Sequence, residues 1–343
     1  MESPEAQSGS QSISKSSQQN SFMDWRPEAI RIFSICYIIL GHMFLTTAYL
    51  TNDPKNPLVL TAGIMIGFFI FCSAYVHGLK DEFNKTGSLN ISTYWKFFKT
   101  RFLRLYIGYY LALVVVLIAK LCAGYTFVFA SSGLTIGGSI KATPIIISPE
   151  SLVLDLTCLW PLVTGLLGGI FPEAWFIGSI LILSLAYPFL RRLYSIHPKY
   201  LYLIIIIATV IRIIVAIKSN PNYAFNFPFA WTAEFSFGII IGNRICMKGG
   251  PAPPNTLYKR IIINMATRVW PLYLFHMTAV VFMPVGAPVI DFVLAYIVII
   301  FLAEFFRRVL RYINNLLGVK RRDNSLKIGN KFNLPESPSL NVF

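Results

Sequence analysis

Long stretches of this chain contain no Asp, Glu, Lys or Arg, among them Ile32 to Asn52, Asn56 to Leu79, Leu105 to Ala119, Ala174 to Leu190 and Val269 to Ile290. An α-helix rises about 1.5 Å per residue, so roughly 20 apolar residues cross the ~30 Å of bilayer hydrocarbon. With 55% hydrophobic and only 13% charged residues over 343 positions, no soluble core could hide so many apolar runs. The chain is expected to be all-α, a polytopic transmembrane helix bundle. Spans are placed at roughly 30–50, 58–79, 104–122, 174–190, 200–218, 229–246, 263–284 and 288–308. A further apolar segment, Ser151 to Ile170, is interrupted by Asp155, Pro161 and the glycines at 165, 168 and 169.

A net charge of +15 from 30 basic and 15 acidic residues would suggest nucleic acid in a soluble protein. In a membrane protein it marks loops held on the cytoplasmic side, and no nucleic-acid role is assigned. Residues 80–104 carry Lys80, Lys85, Lys96, Lys99, Arg101 and Arg104 and are placed inside, whereas 51–57 carry only Asp53 and Lys55 and fall outside. The later basic groups at Arg191–Lys199, Arg244–Arg260 and Arg307 onward are all inside only if 123–173 makes no net crossing. The segment 151–170 is therefore read as re-entrant, as lying at the outer face, or as half of a hairpin. Of the 8–10 spans the runs allow, eight or ten, with both termini cytoplasmic, satisfy the rule and nine do not; the chain is expected in the plasma (inner) membrane. Residues 1–24 read as a disordered cytoplasmic tail without a leader peptide, 25–312 as the membrane-embedded domain, and 313–343 as a basic cytoplasmic tail. Residues 91–104, where aromatics alternate with Lys96, Lys99, Arg101 and Arg104, predict an interfacial helix entering the third span.

The five cysteines are scattered without metal or redox spacing, so they read as packing residues, and no metal site is assigned. Ionisable residues at membrane depth are costly and point to function or to pairing. Arg31 and His42 are 11 positions apart, about three turns with only ~20° of offset, so they share a helix face some 16 Å apart. Arg31 is expected near the cytoplasmic surface and His42 near mid-membrane, where a neutral imidazole can accept a proton. A positive-inside anchor and a hydrogen-bonded packing histidine are the alternatives. Arg101 and Arg104, three apart, can grip phosphate oxygens or simply anchor at the interface. His276, in Tyr273-Leu274-Phe275-His276, lies about as deep in its span as His42 and suits a proton-relay or substrate-gripping role. Glu173 beside Trp175 could meet sugar hydroxyls and stack a ring, or form an ordinary interface pair. Arg212, Glu234, Arg268 and Glu304 are expected to pair inside the bundle, and His77 to be an interface residue.

Taken together, these residues resemble the acyltransferase-3 family of integral membrane acyltransferases. Glu28, Arg31 and His42 match its acid, two residues, Arg, ten residues, His pattern. Gly67-Phe68-Phe69 through Ser73-Ala74-Tyr75 resembles its Phe-Phe-x-x-Ser-Gly stretch, with Ala74 where glycine is usual. Arg101-Phe102-Leu103-Arg104-Leu105-Tyr106, Trp175-Phe176-Ile177 through Pro188, Phe237-Gly238 with Gly242, and Tyr273 to His276 follow in the family's order. The stretch after Trp175 lacks a Ser-Glu pair common in one branch and is closer to the surface-polysaccharide O-acetyltransferase branch. The resemblance implies a cytoplasmic acyl-CoA donor, commonly acetyl-CoA, and no permanently bound cofactor. It also implies a glycan or glycolipid acceptor, membrane lipids around the bundle, and polysaccharide-biosynthesis proteins as partners. On that footing His42 is the expected general base, Arg31, Arg101 and Arg104 bind the donor, and Glu173, Trp175 and His276 meet the acceptor. Rival classes are a secondary transporter or flippase for a polysaccharide precursor, and an inert membrane partner that organises a synthase.

Overall fold

The computed structural model describes residues 24–47, 57–80, 90–131, 145–163, 170–171, 174–218, 224, 226–248, 250–251, 256–280 and 289–316. Glu173, the glycines at 165, 168 and 169, and the tails 1–23 and 317–343 lie outside the described residues. The chain forms α1 (Trp25–Thr47), α2 (Pro57–Lys80), α3 (Ile91–Cys122), α4 (Pro149–Thr157), α5 (Trp160–Val163), α6 (Ala174–Ile196) and α7 (Lys199–Lys218). A 3-10 turn at Pro228–Trp231 then leads into α8 (Thr232–Met247), α9 (Leu257–Ala266), α10 (Val269–Val280) and α11 (Val289–Leu316). Among these, α3, α6 and α7 are long and apolar enough to cross a membrane. Helix α7 leaves most of that surface outside the bundle, with Ile206, Ile211 and Ile214 exposed as a lipid-facing helix requires. Among the described residues a parallel strand pair also forms, β1 (Phe127–Phe129) with β2 (Ile145–Ile147), whose aromatic and β-branched composition favours strand.

Two helices differ from their sequence expectation. The interfacial stretch and the third span are one continuous α3 of 32 residues, because Asn90 caps its start by accepting from the Ser92 N–H at 2.9 Å and nothing in the run breaks it. Conversely, the span expected at 263–284 is divided at Thr267–Arg268. Pro271 has no N–H, and its ring would collide with the carbonyl four residues back, so the helix restarts with proline in its first turn. Thr267 covers the break by donating its hydroxyl to the Asn264 carbonyl at 2.7 Å.

Helices α2 and α8 pack backbone against backbone. A Cβ on Gly238 would lie 2.4 Å from the Phe71 carbonyl oxygen, and one on Gly242 would lie 2.2 Å from that of Tyr75. Gly78 faces back from α2, where a Cβ would lie 2.6 Å from the Ile239 oxygen. Small residues four apart on both helices thus let the two backbones touch, the usual route to tight association where lipid supplies no hydrophobic drive.

The segment after the strand pair is built against α3. Ser148 and Ser151 cap α4 reciprocally, and Cys158 ends it in the left-handed conformation at φ 57°. The last carbonyls of a helix lack internal partners. Here the hydroxyls of Tyr106, Tyr109 and Tyr110 on α3 donate to the carbonyls of Thr157, Asp155 and Leu156. At 9 and 4 residues, α4 and α5 are each too short to cross a bilayer.

The Asp155 side chain is buried outside the spanning helices, accepting from Trp160 Nε1 at 2.9 Å and from the Ile170 N–H at 3.2 Å. Burial pushes its pKa up to about 6, against the pull of those two donors and of Lys120. The folded state therefore holds this proton more tightly than the unfolded chain, and stability is expected to fall by roughly 3 kcal/mol as pH rises from about 4 to 6. Asp155→Asn should lower the melting temperature overall, because an amide N–H then faces a donor, and should flatten its dependence across that window. An unchanged slope in thermal unfolding from pH 4 to 7 would remove Asp155 as its source.

Candidate functional site

Helix α1 is unbroken from Trp25 to Thr47, so the shared face of Arg31 and His42 is realised. That face meets α2 and α10. The His42 ring lies beside His276 at 5.2 Å between centroids, joining two histidines that sequence alone could not bring together. His276 is fully buried, and its Nδ1 lies 2.6 Å from the Tyr273 carbonyl oxygen. A carbonyl only accepts, so Nδ1 carries the proton and Nε2 keeps a lone pair. That Nε2 has no hydrogen-bond partner among the described residues. Two imidazoles side by side, one presenting a buried lone pair, form an arrangement suited to moving a proton.

An aromatic wall runs from this pair to Arg31. Tyr273 lies 5.7 Å from His276, 4.9 Å from Phe176 and 6.5 Å from Phe69, and Trp270 stacks on its other side at 5.8 Å. The Arg31 guanidinium lies over the Phe69 ring at 6.0 Å, and its Nη1 donates to both oxygens of the buried Glu28, at 3.2 and 3.0 Å. The acid of the Glu28, Arg31, His42 pattern thus compensates the arginine's charge within one turn.

Arg101 stands at a different level. Its Nη2 donates to His77 Nε2 and reaches Ser73 Oγ at 3.4 Å. Phe69, Ser73 and His77 follow each other at four-residue spacing, so one stripe of α2 meets Arg31 at its upper end and Arg101 at its lower. Eight residues separate Phe69 from His77, which puts Arg31 about 12 Å further along the bundle than Arg101. Arg31 is partly buried, with its side chain 26% exposed. Helix α1 opens at Trp25, and the buried Asp24 just before it accepts from the Tyr75 hydroxyl. Arg104 is partly buried one turn above Arg101. Trp175 is buried with its edge toward Phe176 at 6.0 Å.

His77, expected at the membrane interface, is buried between helices and lies against Tyr187, Phe97 and Phe235. No sequence periodicity marks it; the only signal is its place two turns after Phe69 on the same stripe. The four charged residues expected to pair do so. Arg212 donates to both Glu234 oxygens at 2.6 Å and lies over the Trp231 ring at 4.5 Å. Glu304 receives Arg268 at 3.0 Å, Arg307 at 2.6 Å and Arg308 at 3.1 Å. An isolated charge at the centre of a membrane helix costs roughly 2.5–3.5 kcal/mol on insertion scales, which these pairs offset. A pocket between α7 and the 3-10 turn, lined by Ile207, Ile211, Arg212, Phe227 and Phe229, includes none of the histidines.

The sequence model of a family described as an acyltransferase domain matches residues 24–316. No curated protein and no solved structure matches the chain.

Proposed function

The chain belongs to the acyltransferase-3 family and is an acyltransferase, and on that premise we propose that it moves an acyl group, acetyl in the simplest case, from cytoplasmic acyl-CoA to a hydroxyl of a glycan or glycolipid. The observation that carries this reading is the His42 ring 5.2 Å from that of His276, whose Nε2 keeps its lone pair, reached along an aromatic wall from Arg31.

Basic side chains gather where α1 begins, α2 ends and α3 begins, with Lys259 over Trp25 at 5.8 Å and Arg101 on His77. This end is taken as cytoplasmic, with the bundle in the plasma membrane and both chain termini on that side. Arg101 and Arg104 grip the phosphates of the donor there, as guanidinium forks do well. Arg31, deeper and steadied by Glu28, meets the amide-bearing arm that carries the thioester inward. The acceptor hydroxyl donates to one nitrogen of His42, while the other N–H of that ring points to His276 Nε2. As the hydroxyl oxygen attacks the thioester carbonyl, its proton passes to His42, and the imidazolium formed is shared with the second ring. The carbon–sulfur bond then breaks, and His42 returns the proton to the departing thiolate, leaving an ester and free CoA. Trp175 and the Glu173 position border the acceptor.

The test is direct. Protein purified into lipid nanodiscs should release CoA from acetyl-CoA and label an acceptor glycolipid fraction. Movement of that fraction across the membrane without CoA release would replace this reading with a transporter or flippase. Arg101→Ala and Arg104→Ala should each raise the KM for acetyl-CoA roughly tenfold, with kcat changed much less, since a lost charge-assisted contact removes binding common to ground and transition states. Equal KM values would take both arginines out of the donor site.

A further inference from the structure

We infer that His77 is a positioning residue for the donor site, its Nε2 lone pair holding the Arg101 guanidinium in the orientation that receives the donor's phosphates. This rests on the reading of Arg101 given above.

A guanidinium carries only donors, so the nitrogen it meets on His77 must be an acceptor, which fixes the proton of the neutral ring on Nδ1. Ser73, one turn along α2, offers a second acceptor to the same Nη2. The imidazole that does this is itself closely held. It is 7% exposed, stacks on Tyr187 at 4.9 Å and 28°, and takes the edge of Phe97 at 5.4 Å. The Tyr187 hydroxyl donates to the His77 backbone carbonyl at 2.9 Å, so α6 fixes the main chain as well as the ring. The next residue is Gly78, whose contact with α8 allows no sliding of α2. A long arginine loses much rotamer freedom on binding an anion; one already held on a rigid ring loses less, and the difference appears as affinity. His77 never touches the donor. It acts through Arg101.

Two substitutions separate that role from simple packing. His77→Phe keeps a ring against Tyr187 and Phe97 but removes the acceptor, whereas His77→Gln restores an acceptor near the Nε2 position without the ring. The measurement is the Kd of acetyl-CoA for the full-length protein in nanodiscs, with the melting temperature taken on the same samples and Arg101→Ala alongside. His77→Phe is expected to weaken binding roughly tenfold, the scale of a hydrogen bond to a charged group, while melting near the wild-type temperature. His77→Gln is expected to bind within about threefold of wild type. Wild-type binding by His77→Phe, with Arg101→Ala still weakened, overturns the inference and leaves the donor site standing. A loss in His77→Gln as large as in His77→Phe also overturns it, since the ring and not the acceptor would then matter. Wild-type binding by Arg101→Ala removes the donor-site reading itself, and the inference with it.

Discussion

Replacing His42 with alanine is expected to lower acyl transfer by roughly 10² to 10⁴, the range by which a positioned general base contributes, while leaving the protein folded. The fold should tolerate the change because the glycine contact of α2 with α8 and the three α3 tyrosines that donate to α4 hold the bundle together without this ring. His42→Gln, which keeps hydrogen bonding but cannot take up a proton at neutral pH, should be as inactive as the alanine variant. His276→Ala should lose less, because it removes a partner that orients the base and shares its charge, and not the base itself. The assay is CoA release in nanodiscs at matched protein concentration, with acetyl-CoA affinity measured beside it. Turnover within a few-fold of wild type for His42→Ala would take the imidazole out of the chemistry, and a large rise in the Kd of acetyl-CoA would show a binding defect in place of a catalytic one.

The second large effect is structural. Gly242→Leu is expected to abolish folded protein, and Gly242→Ala to lower the melting temperature by several degrees. The atom a Cβ would meet, the Tyr75 carbonyl oxygen at 2.2 Å, belongs to the backbone of α2 and cannot swing aside as a side chain could. Overpacking ordinarily costs about 1–3 kcal/mol. Here the relief has to come from parting two helices, which also shifts His77 and Ser73 away from Arg101 on the neighbouring face of α2. Gly41→Ala is the matching control, since a Cβ there meets nothing within 4 Å and alanine favours helix by roughly 1 kcal/mol. Size-exclusion profiles and melting curves of the three variants decide it: a monodisperse Gly242→Leu that melts with wild type would show the two helices free to separate.

Much of this was readable in the chain because membrane helices obey simple periodicity. The 3.6-residue turn alone put Arg31 and His42 on one face, and the cost of buried charge alone required Arg212, Glu234, Arg268 and Glu304 to pair, while the fold chose Arg212 with Glu234 and Arg268 with Glu304. Other features needed the third dimension. The contact of His42 with His276 depends on which helices are neighbours, and no periodicity within either helix carries that. The break before α10 had a visible cause in Pro271, but charge-free length outweighed it. His77 gave no sign of its partner, because Arg101 sits on another helix and only the approach of α2, α3 and α6 brings the two together. The strand pair was not legible because Phe127–Phe129 and Ile145–Ile147 are each too short to show an alternating pattern.

Helix α10 is only 12 residues long, with a cluster of three arginines around Glu304 at its foot and His276 two turns above. It is therefore a short strut clamped to α11 at one end, separate from α9 at the joint after Ala266. Loosening the clamp would let the strut tilt as a unit and carry the second imidazole away from the first, so activity can be lost through charges that no substrate ever meets.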